Sequence, residues 1–142
     1  MKNIKVLMID DNLELIKMVK EYFSDHASID ISLEAHDGIE GMKLIKERQS
    51  DYDVVILDLI MPKKDGLSVL QEMKDSNIDK NVIVLTSYNA SDMIRKVSEL
   101  GIKYFILKPF ELSDLEKRVI ECVNTDNYGS KSIDVHYNNL QI

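Results

Sequence analysis

Cysteine and long apolar runs are both scarce in this sequence. Cys122 is its only cysteine, which excludes an internal disulfide, and its place in a helical pattern favours a reduced, cytoplasmic setting. Before the first acidic pair, the N-terminal segment holds only six mostly apolar residues, Ile4–Ile9. That length is too short for a signal-peptide core or a membrane span. We therefore expect a soluble protein that makes no membrane contact.

Basic residues are also in short supply, because 18 Lys and Arg stand against 25 Asp and Glu and the formal net charge is −7. This charge argues against a basic face that binds nucleic-acid phosphates, so we expect any DNA binding to need another domain. The 142 residues, of which 44% are hydrophobic, suit one domain with a substantial core.

Short, branched apolar runs predict a buried parallel sheet. Four of them are nearly continuous: Ile4–Ile9, Asp53–Leu57, Val82–Leu85 and Tyr104–Leu107. A fifth run, Ile29–Ala35, alternates apolar with polar residues, which is typical of a half-exposed edge strand.

Helix-period segments follow each of these runs. Asn12 is a candidate N-cap of the first helix, Asp37-Gly38 and Asp65-Gly66 precede the second and third, and Gly101 follows the fourth where a left-handed residue suits a helix end. Helical spacing assigns to the core a set of positions that includes Met18, Ile39, Met42 and Met73. Five βα repeats with right-handed crossovers predict an α/β fold, the flavodoxin-like (βα)5 doubly wound parallel sheet with strand order 2-1-3-4-5.

Side chains suited to chemistry follow four of the predicted strands. They are Asp10 and Asp11 after the first, Asp58 after the third, Thr86 and Ser87 after the fourth, and Lys108 after the fifth. Ligands of doubly wound sheets bind at the carboxyl ends of the strands. We therefore expect three carboxylates, a hydroxyl and an ammonium to converge in one crevice.

Three carboxylates in one crevice repel each other unless a cation neutralises them. Mg²⁺ prefers oxygen ligands, uses one or two carboxylates and bridges to phosphate oxygens. A carboxylate can itself be the nucleophile that forms an acyl phosphate, while the metal, Lys108 and the Thr86 hydroxyl neutralise charge on the transferring group. The pattern predicts magnesium-dependent phosphoryl chemistry.

Four motifs together resemble the receiver domain of bacterial response regulators. They are IDD at 9–11, LDLIMPKKDG at 57–66, LTS at 85–87 and LKPF at 107–110, and the resemblance covers residues 4 to about 123. It implies Asp58 as phosphoacceptor, Asp11 as a direct Mg²⁺ ligand, Asp10 acting through water, the Ile60 carbonyl as a further ligand, Thr86 and Lys108 as phosphoryl partners, and a cis bond before Pro109.

The resemblance also implies how the signal leaves the site. The switch residue, an aromatic three positions before the lysine, is Phe105, which has no hydroxyl and would act by packing alone. We expect phosphorylation to draw in Thr86, remodel the Ser87–Ala90 loop and let Phe105 pack inward. This would change an output face formed by the fourth helix, fifth strand and fifth helix.

The family further implies a histidine kinase or phosphotransfer protein as phosphodonor, and it allows a phosphorylation-dependent homodimer. The segment YFILKPF and the DxxMPxxDG context look similar to the receiver of the sporulation master regulator of spore-forming Firmicutes. We expect the receiver to span residues 1–124. Residues 125–142 are polar and predict a linker or the start of a truncated output domain, which would bind DNA.

Other protein classes share parts of this pattern. Phosphatases of the haloacid dehalogenase type also use a strand-end aspartate, but they need a second acid two residues on, where this chain has Ile60. A dinucleotide-binding domain needs a glycine-rich turn where this chain has Asp10-Asp11-Asn12. A receiver-like fold that serves only as a constitutive interaction module would lack one of the acids, Thr86 or Lys108.

Each site residue also has a structural interpretation by itself. Asp10 and Asp11 could merely cap the first helix, Asp58 could belong to a turn, Thr86 could cap the fourth helix, and Lys108 could be an ordinary surface lysine. Their joint placement at strand ends argues against these explanations. The histidines show no ligand spacing, and surface positions are expected for His26, His36 and His136.

Overall fold

The computed structural model describes residues 3–87 and 91–126, the last two as backbone only. Strands and helices alternate as predicted, with a short 3-10 helix, Gln49–Asp51, before the third strand. The strands are β1 Ile4–Ile9, β2 Ile29–Ala35, β3 Val54–Asp58, β4 Asn81–Thr86 and β5 Tyr104–Leu107. The helices are α1 Leu13–Phe23, α2 Gly38–Glu47, α3 Gly66–Asp75, α4 Ser91–Glu99 and α5 Leu112–Asp126.

Side-chain caps begin the first three helices. Asn12 accepts the Leu15 N–H at 3.1 Å, and Asp37 and Asp65 each accept the N–H three residues on at 2.8 Å. These bonds satisfy N–H groups that have no partner inside the helix. Gly101, just beyond α4, has a φ of 91°, so the predicted left-handed helix end is confirmed.

The five strands form one parallel sheet in the order β2-β1-β3-β4-β5, which confirms the predicted fold class. One face of the sheet packs with α2, α3 and α4, and includes Leu7, Ile9, Val55 and Leu57. The other face packs with α1 and α5, and includes Val6 and Met8. Because all five strands are parallel, their carboxyl ends lie at the same edge of the sheet.

The edge strand β2 carries a bulge at Ser32. Ile31 pairs with Val6, but the next residue of β1, Leu7, pairs with Leu33, so Ser32 is an extra residue. Because side chains alternate between faces, the extra residue reverses the alternation. Ile29 and Ile31 therefore face the α1 and α5 layer, whereas Leu33 and Ala35 face the opposite layer. The predicted edge position is confirmed, but the apolar residues serve two layers.

Two of the predicted core positions are wrong. Met18 is 53% exposed, because it lies about 200° around the helix from the buried Ile16. Ile39 is 58% exposed in the first turn of α2, at the loop edge of the sheet. Met42 and Met73 are buried as predicted.

The C-terminal part of the expected domain division can be compared only in part. The α5 helix continues to Asp126, slightly beyond the expected boundary at residue 124. Residues 127–142, where the linker or output domain and His136 were placed, lie outside the described part. Within residues 3–87 and 91–126, the helices are too short or too polar to cross a bilayer.

Candidate functional site

The predicted site residues meet at the carboxyl edge of the sheet. Asp10 follows β1, Asp58 and Thr86 are the last residues of β3 and β4, and Lys108 follows β5. Asp10, Asp58 and Thr86 are all buried polar residues, while Asp11 is exposed at the mouth of the crevice. Buried polar groups are costly unless they are paired, so their concentration here points to function.

The three carboxylates are close enough to share a cation. One oxygen each from Asp10, Asp11 and Asp58 lies within 4.8 Å of the others. The donor set is entirely oxygen, which is the preference of a hard divalent ion. Lys108 supplies one positive charge against three negative ones, so a divalent cation would balance the remaining two negative charges. These residues therefore fit Mg²⁺.

The Ile60 carbonyl, implied as a further ligand, belongs to the loop after Asp58. Ile60 lies two residues beyond β3, and its side chain is 63% exposed. Its carbonyl as a metal ligand stays a prediction.

Lys108 is bonded mainly to Asp10. Its Nζ lies 2.9 Å from Asp10 Oδ2 and 3.5 Å from Asp58 Oδ1. The sequence argument placed this ammonium beside the phosphoryl group and missed its bond to Asp10. Burial was the missing information, because a fully buried carboxylate needs a counter-charge.

The second oxygen of Asp10 is also engaged. Its Oδ1 accepts the backbone N–H of Asn12 at 2.9 Å, while the Asn12 side chain caps α1. Asn12 therefore positions a site residue as well as starting a helix, a role that sequence reasoning missed. With both oxygens bonded, Asp10 is suited to reach a cation through water, as the family resemblance implies.

The crevice perturbs the acidity of Asp58. Burial, followed by the negative charge of Asp10, raises the pKa of Asp58 from 3.8 to about 6, although Lys108 opposes the shift and Asp11 adds to it. The ionised form of Asp58 is thus disfavoured without a cation. A bound divalent ion would compete with the proton for this carboxylate.

Thr86 and Lys108 are joined through the backbone. The Lys108 N–H donates to the Thr86 carbonyl at 2.6 Å, and the peptide bond between Lys108 and Pro109 is cis, as predicted. The Thr86 hydroxyl makes one long bond, 3.4 Å, to the Ser87 carbonyl. This weakly held hydroxyl could change partners easily.

Phe105 is already inside the core, with only 1% of its surface exposed. The inward packing expected on phosphorylation is therefore already present in this structure. Its switch role stays a prediction. Of the Ser87–Ala90 loop, only Ser87 is within the described residues.

Several structural interpretations are now decided. Asp65 caps α3, as the structural interpretation predicted. Thr86 does not cap the fourth helix, which begins at Ser91.

His36 is exposed as predicted, but His26 is partly buried. The His26 Nδ1 accepts the N–H groups of Ser28 and Ile29, each at 3.0 Å, which shows a role in the turn before β2.

A doubly wound sheet with three acids, a threonine and a lysine at its carboxyl edge defines a receiver-type signalling domain. The family model for the response regulator receiver domain matches residues 6–120. The chain belongs to the response regulator receiver domain family. Receiver domains are signalling phospho-switches that bind Mg²⁺ in an acidic pocket and interact with histidine kinases or phosphotransfer proteins.

Solved structures agree with this assignment. The receiver domain of Francisella response regulator 1452 is 31% identical, with 87% of this chain and 99% of that one covered and a TM-score of 0.76. A Clostridium thermocellum receiver domain protein is 29% identical, with 89% and 99% covered and a TM-score of 0.74. A Borrelia burgdorferi complex of CheX and CheY with BeF3 and Mg²⁺ contains a chain 26% identical, with 86% and 90% covered and a TM-score of 0.76.

Proposed function

We propose that this chain accepts a phosphoryl group on Asp58, in a magnesium-dependent reaction, from a phosphohistidine of a kinase or phosphotransfer protein. One observation carries the proposal: Asp10, Asp11 and Asp58 present oxygens within 4.8 Å of one another, beside the ammonium of Lys108. The Borrelia complex with BeF3 and Mg²⁺ gives independent support. The haloacid dehalogenase alternative has no support, because Ile60 stands where the second acid is needed.

The reaction transfers the phosphoryl group between two nucleophiles. An Asp58 oxygen forms a bond to phosphorus as the bond from phosphorus to the histidine nitrogen breaks, and the leaving imidazole keeps the electron pair. A bound cation would neutralise charge on the phosphoryl oxygens. We expect Lys108, whose ammonium lies 3.5 Å from Asp58, and the Thr86 hydroxyl to bond the same oxygens once the aspartyl phosphate has formed.

The free energy available for switching depends on the hydrogen bond that Lys108 loses when it binds the phosphoryl group. A charge-assisted hydrogen bond contributes roughly 1.5–3 kcal/mol, and driving a two-state element from 1:99 to 99:1 needs about 5.5 kcal/mol. Because Lys108 already bonds Asp10 at 2.9 Å, moving to the phosphoryl group exchanges one bond for another. Thr86 exchanges a long hydrogen bond for a new one, so its net gain in free energy is larger than that of Lys108. We therefore assign Thr86 the main role in coupling.

Exposed apolar side chains lie at the same edge of the sheet as the proposed phosphorylation site. Leu13, Ile39 and Ile60 belong to segments that follow β1, β2 and β3, and all three are well exposed. Because these segments share the carboxyl edge of the sheet, they offer apolar contacts beside Asp58. This favours a protein as the phosphodonor over a free small molecule.

Incubation with acetyl phosphate and Mg²⁺ tests this function. The protein should gain one phosphoryl group that is stable in acid and labile to hydroxylamine, and Asp58→Asn should gain none. Asp65→Asn is the matched control, because asparagine can still cap α3 and Asp65 lies outside the carboxylate cluster. Turnover of a phosphomonoester without a stable adduct would instead support a hydrolase.

We also propose a cytoplasmic location and a receiver of residues 1–124, with residues 125–142 leading into a DNA-binding output domain. Control of transcription in sporulation is proposed only from the resemblance of the YFILKPF segment and the DxxMPxxDG context to the sporulation master regulator. A phosphorylation-dependent homodimer through the α4, β5 and α5 face is also proposed. The coding sequence after Ile142 tests the output, and light scattering with and without acetyl phosphate tests the dimer.

A further inference from the structure

The loop between β3 and α3, residues 59–65, contains a three-residue turn centred on Lys63. The Lys64 N–H donates to the Pro62 carbonyl at 2.7 Å, and Lys63 between them has a φ of 70°. A turn of this hand is rare and strained for a residue with a side chain. Such a conformation persists only where the surroundings hold it in place.

The two ends of the loop are fixed by β3 and β4. The Gly66 N–H donates to the Leu59 carbonyl at 2.8 Å, and the Leu59 N–H donates to the Leu85 carbonyl at 3.2 Å. A β-carbon at Gly66 would lie 2.5 Å from the Asp58 carbonyl oxygen, so the chain returns closely against the strand it left. The middle of the loop is held by Met61, which is buried in the core, by the Lys64–Glu72 ion pair at 2.7 Å, and by contacts with the N-terminal end of α2.

The N-terminus of α2 contacts the middle of the loop in two ways. A β-carbon at Gly38 would lie only 1.8 Å from the Lys64 carbonyl oxygen, so the loop can approach this closely only because Gly38 has no side chain. The Lys63 ammonium lies 3.4 Å from Asp37 Oδ2, while Asp37 Oδ1 accepts the Glu40 N–H. The Glu40 N–H, and then the charge of Lys63, lower the pKa of Asp37.

We infer that Asp37 and Gly38 are positioning residues for the metal site, acting through the loop that carries the Ile60 carbonyl. The Gly38 contact sets how closely the loop lies against α2, and the Asp37 ion pair holds the strained turn at Lys63. Neither residue belongs to the carboxylate cluster. The inference rests on the proposed magnesium-dependent function and extends it to two contacts between the loop and the N-terminal end of α2.

The contact that each residue makes determines how strongly its substitution should affect Mg²⁺ binding. A β-carbon at Gly38 must displace backbone, and a displacement of about 1 Å at a site can change its function by about 100-fold. The Asp37–Lys63 pair is partly exposed, with 64% of the lysine side chain accessible, so its removal should have a modest effect. Gly38→Ala is therefore the strong perturbation and the charge variants are the mild ones.

Calorimetric titration with Mg²⁺ tests the inference, together with the amide NMR shifts of Ile60, Met61, Lys63 and Lys64 in the metal-free protein. Gly38→Ala should weaken Mg²⁺ binding by about tenfold or more, and shift these amides before any metal is added. Asp37→Asn, which can still cap α2, and Lys63→Gln should each weaken binding by about threefold. The double variant should be no worse than the singles, because either change removes the pair.

Two control variants separate positioning from general damage. Gly41→Ala makes the same substitution in α2, but its β-carbon meets the Ile9 side chain at 2.8 Å, away from the loop. Asp92→Asn removes an exposed ion pair with Arg95 on α4. Both should bind Mg²⁺ within about twofold of the unaltered protein, even if Gly41→Ala unfolds more readily.

The outcomes distinguish this inference from the function on which it rests. If the unaltered protein does not bind Mg²⁺, the proposed function is wrong. If it binds while folded Gly38→Ala and Asp37→Asn bind equally well, the positioning role is wrong. Should Gly38→Ala not fold, Asp37→Asn and Lys63→Gln decide, and unchanged affinity and amide shifts in both would overturn the inference.

Discussion

The ammonium of Lys108 is 2.9 Å from Asp10 and 3.5 Å from Asp58, so it is bonded more closely to the acid that is not the proposed phosphoacceptor. Asp10 is fully buried, whereas Lys108 retains access to solvent. Lys108 thus balances the charge of the buried Asp10 carboxylate before any phosphoryl group is bound. Substitution can separate this structural role from the role in phosphoryl binding that we propose.

Lys108→Met should destabilise the protein by leaving Asp10 buried without its counter-charge. Removing one partner of a buried pair costs roughly 3–5 kcal/mol, and the partial exposure of Lys108 lowers our expectation to about 2–3 kcal/mol. Urea denaturation checks this value. Adding Asp10→Asn should recover part of the loss, because the remaining partner is then neutral. Strictly additive costs would show that the two groups are not coupled.

Asp58 should make the metal-free protein less stable as the pH rises. Its pKa is raised to about 6, so the folded protein binds the proton more tightly than the unfolded chain. The resulting stability is complete below about pH 4 and is lost as the pH rises through about 6, a total near 3 kcal/mol. Denaturation in EDTA from pH 4 to 8 measures it. Asp58→Asn should be more stable than the unaltered protein at pH 7.5, and a pH-independent difference would contradict this assignment.

Magnesium should restore the stability that the ionised carboxylates remove. Above the dissociation constant, each tenfold increase in Mg²⁺ should add about 1.4 kcal/mol to the free energy of unfolding. Thermal melts at graded Mg²⁺ concentrations check this slope, and in Asp11→Asn the stabilisation should begin only at higher Mg²⁺ concentrations. In Asp51→Asn, whose carboxylate pairs with Arg48 outside the site, it should begin at the same concentration as in the unaltered protein. The same onset in all three proteins would mean that the ion does not bind the carboxylate cluster.

Thr86→Val should separate phosphorylation from its structural consequence. Among the described residues the hydroxyl makes one long bond, so stability should change by about 1 kcal/mol or less, and Asp58 should still be phosphorylated. Amide NMR shifts on phosphorylation should extend to Phe105 and α5 in the unaltered protein. In Thr86→Val, those distant changes should fall below roughly half. Thr86→Ser keeps the hydroxyl and should behave normally, whereas full distant changes in Thr86→Val would rule out this coupling route.

Periodicity and strand-end chemistry were sufficient to predict the strand order and the convergence of Asp10, Asp58, Thr86 and Lys108. These features repeat along the sequence or belong to recognisable motifs. The buried state of Phe105 and the exposure of Met18 depend on neighbouring elements, which a local pattern does not contain. The Lys108 bond to Asp10 joins residues far apart in the chain and depends on how deeply Asp10 is buried.

Single-residue irregularities were the least predictable features. The turn at Lys63 has no sequence signal, because lysine is not a residue that favours positive φ. The contacts that Asp37 and Gly38 make with this loop come from a distant part of the chain. The bulge at Ser32 is hidden in a regular alternation of apolar and polar residues. A simple reading of that alternation places Ile29 and Ala35 on the same face, whereas the structure separates them.

The bulge also has a consequence for how the domain unfolds. An edge strand is usually the first part of a sheet to detach, but β2 supplies Ile29 and Ile31 to one helical layer and Leu33 and Ala35 to the other. Detachment would expose apolar surface in both layers at once. Because β2 contributes to both helical layers, we expect the two layers of the core to unfold together in one cooperative transition.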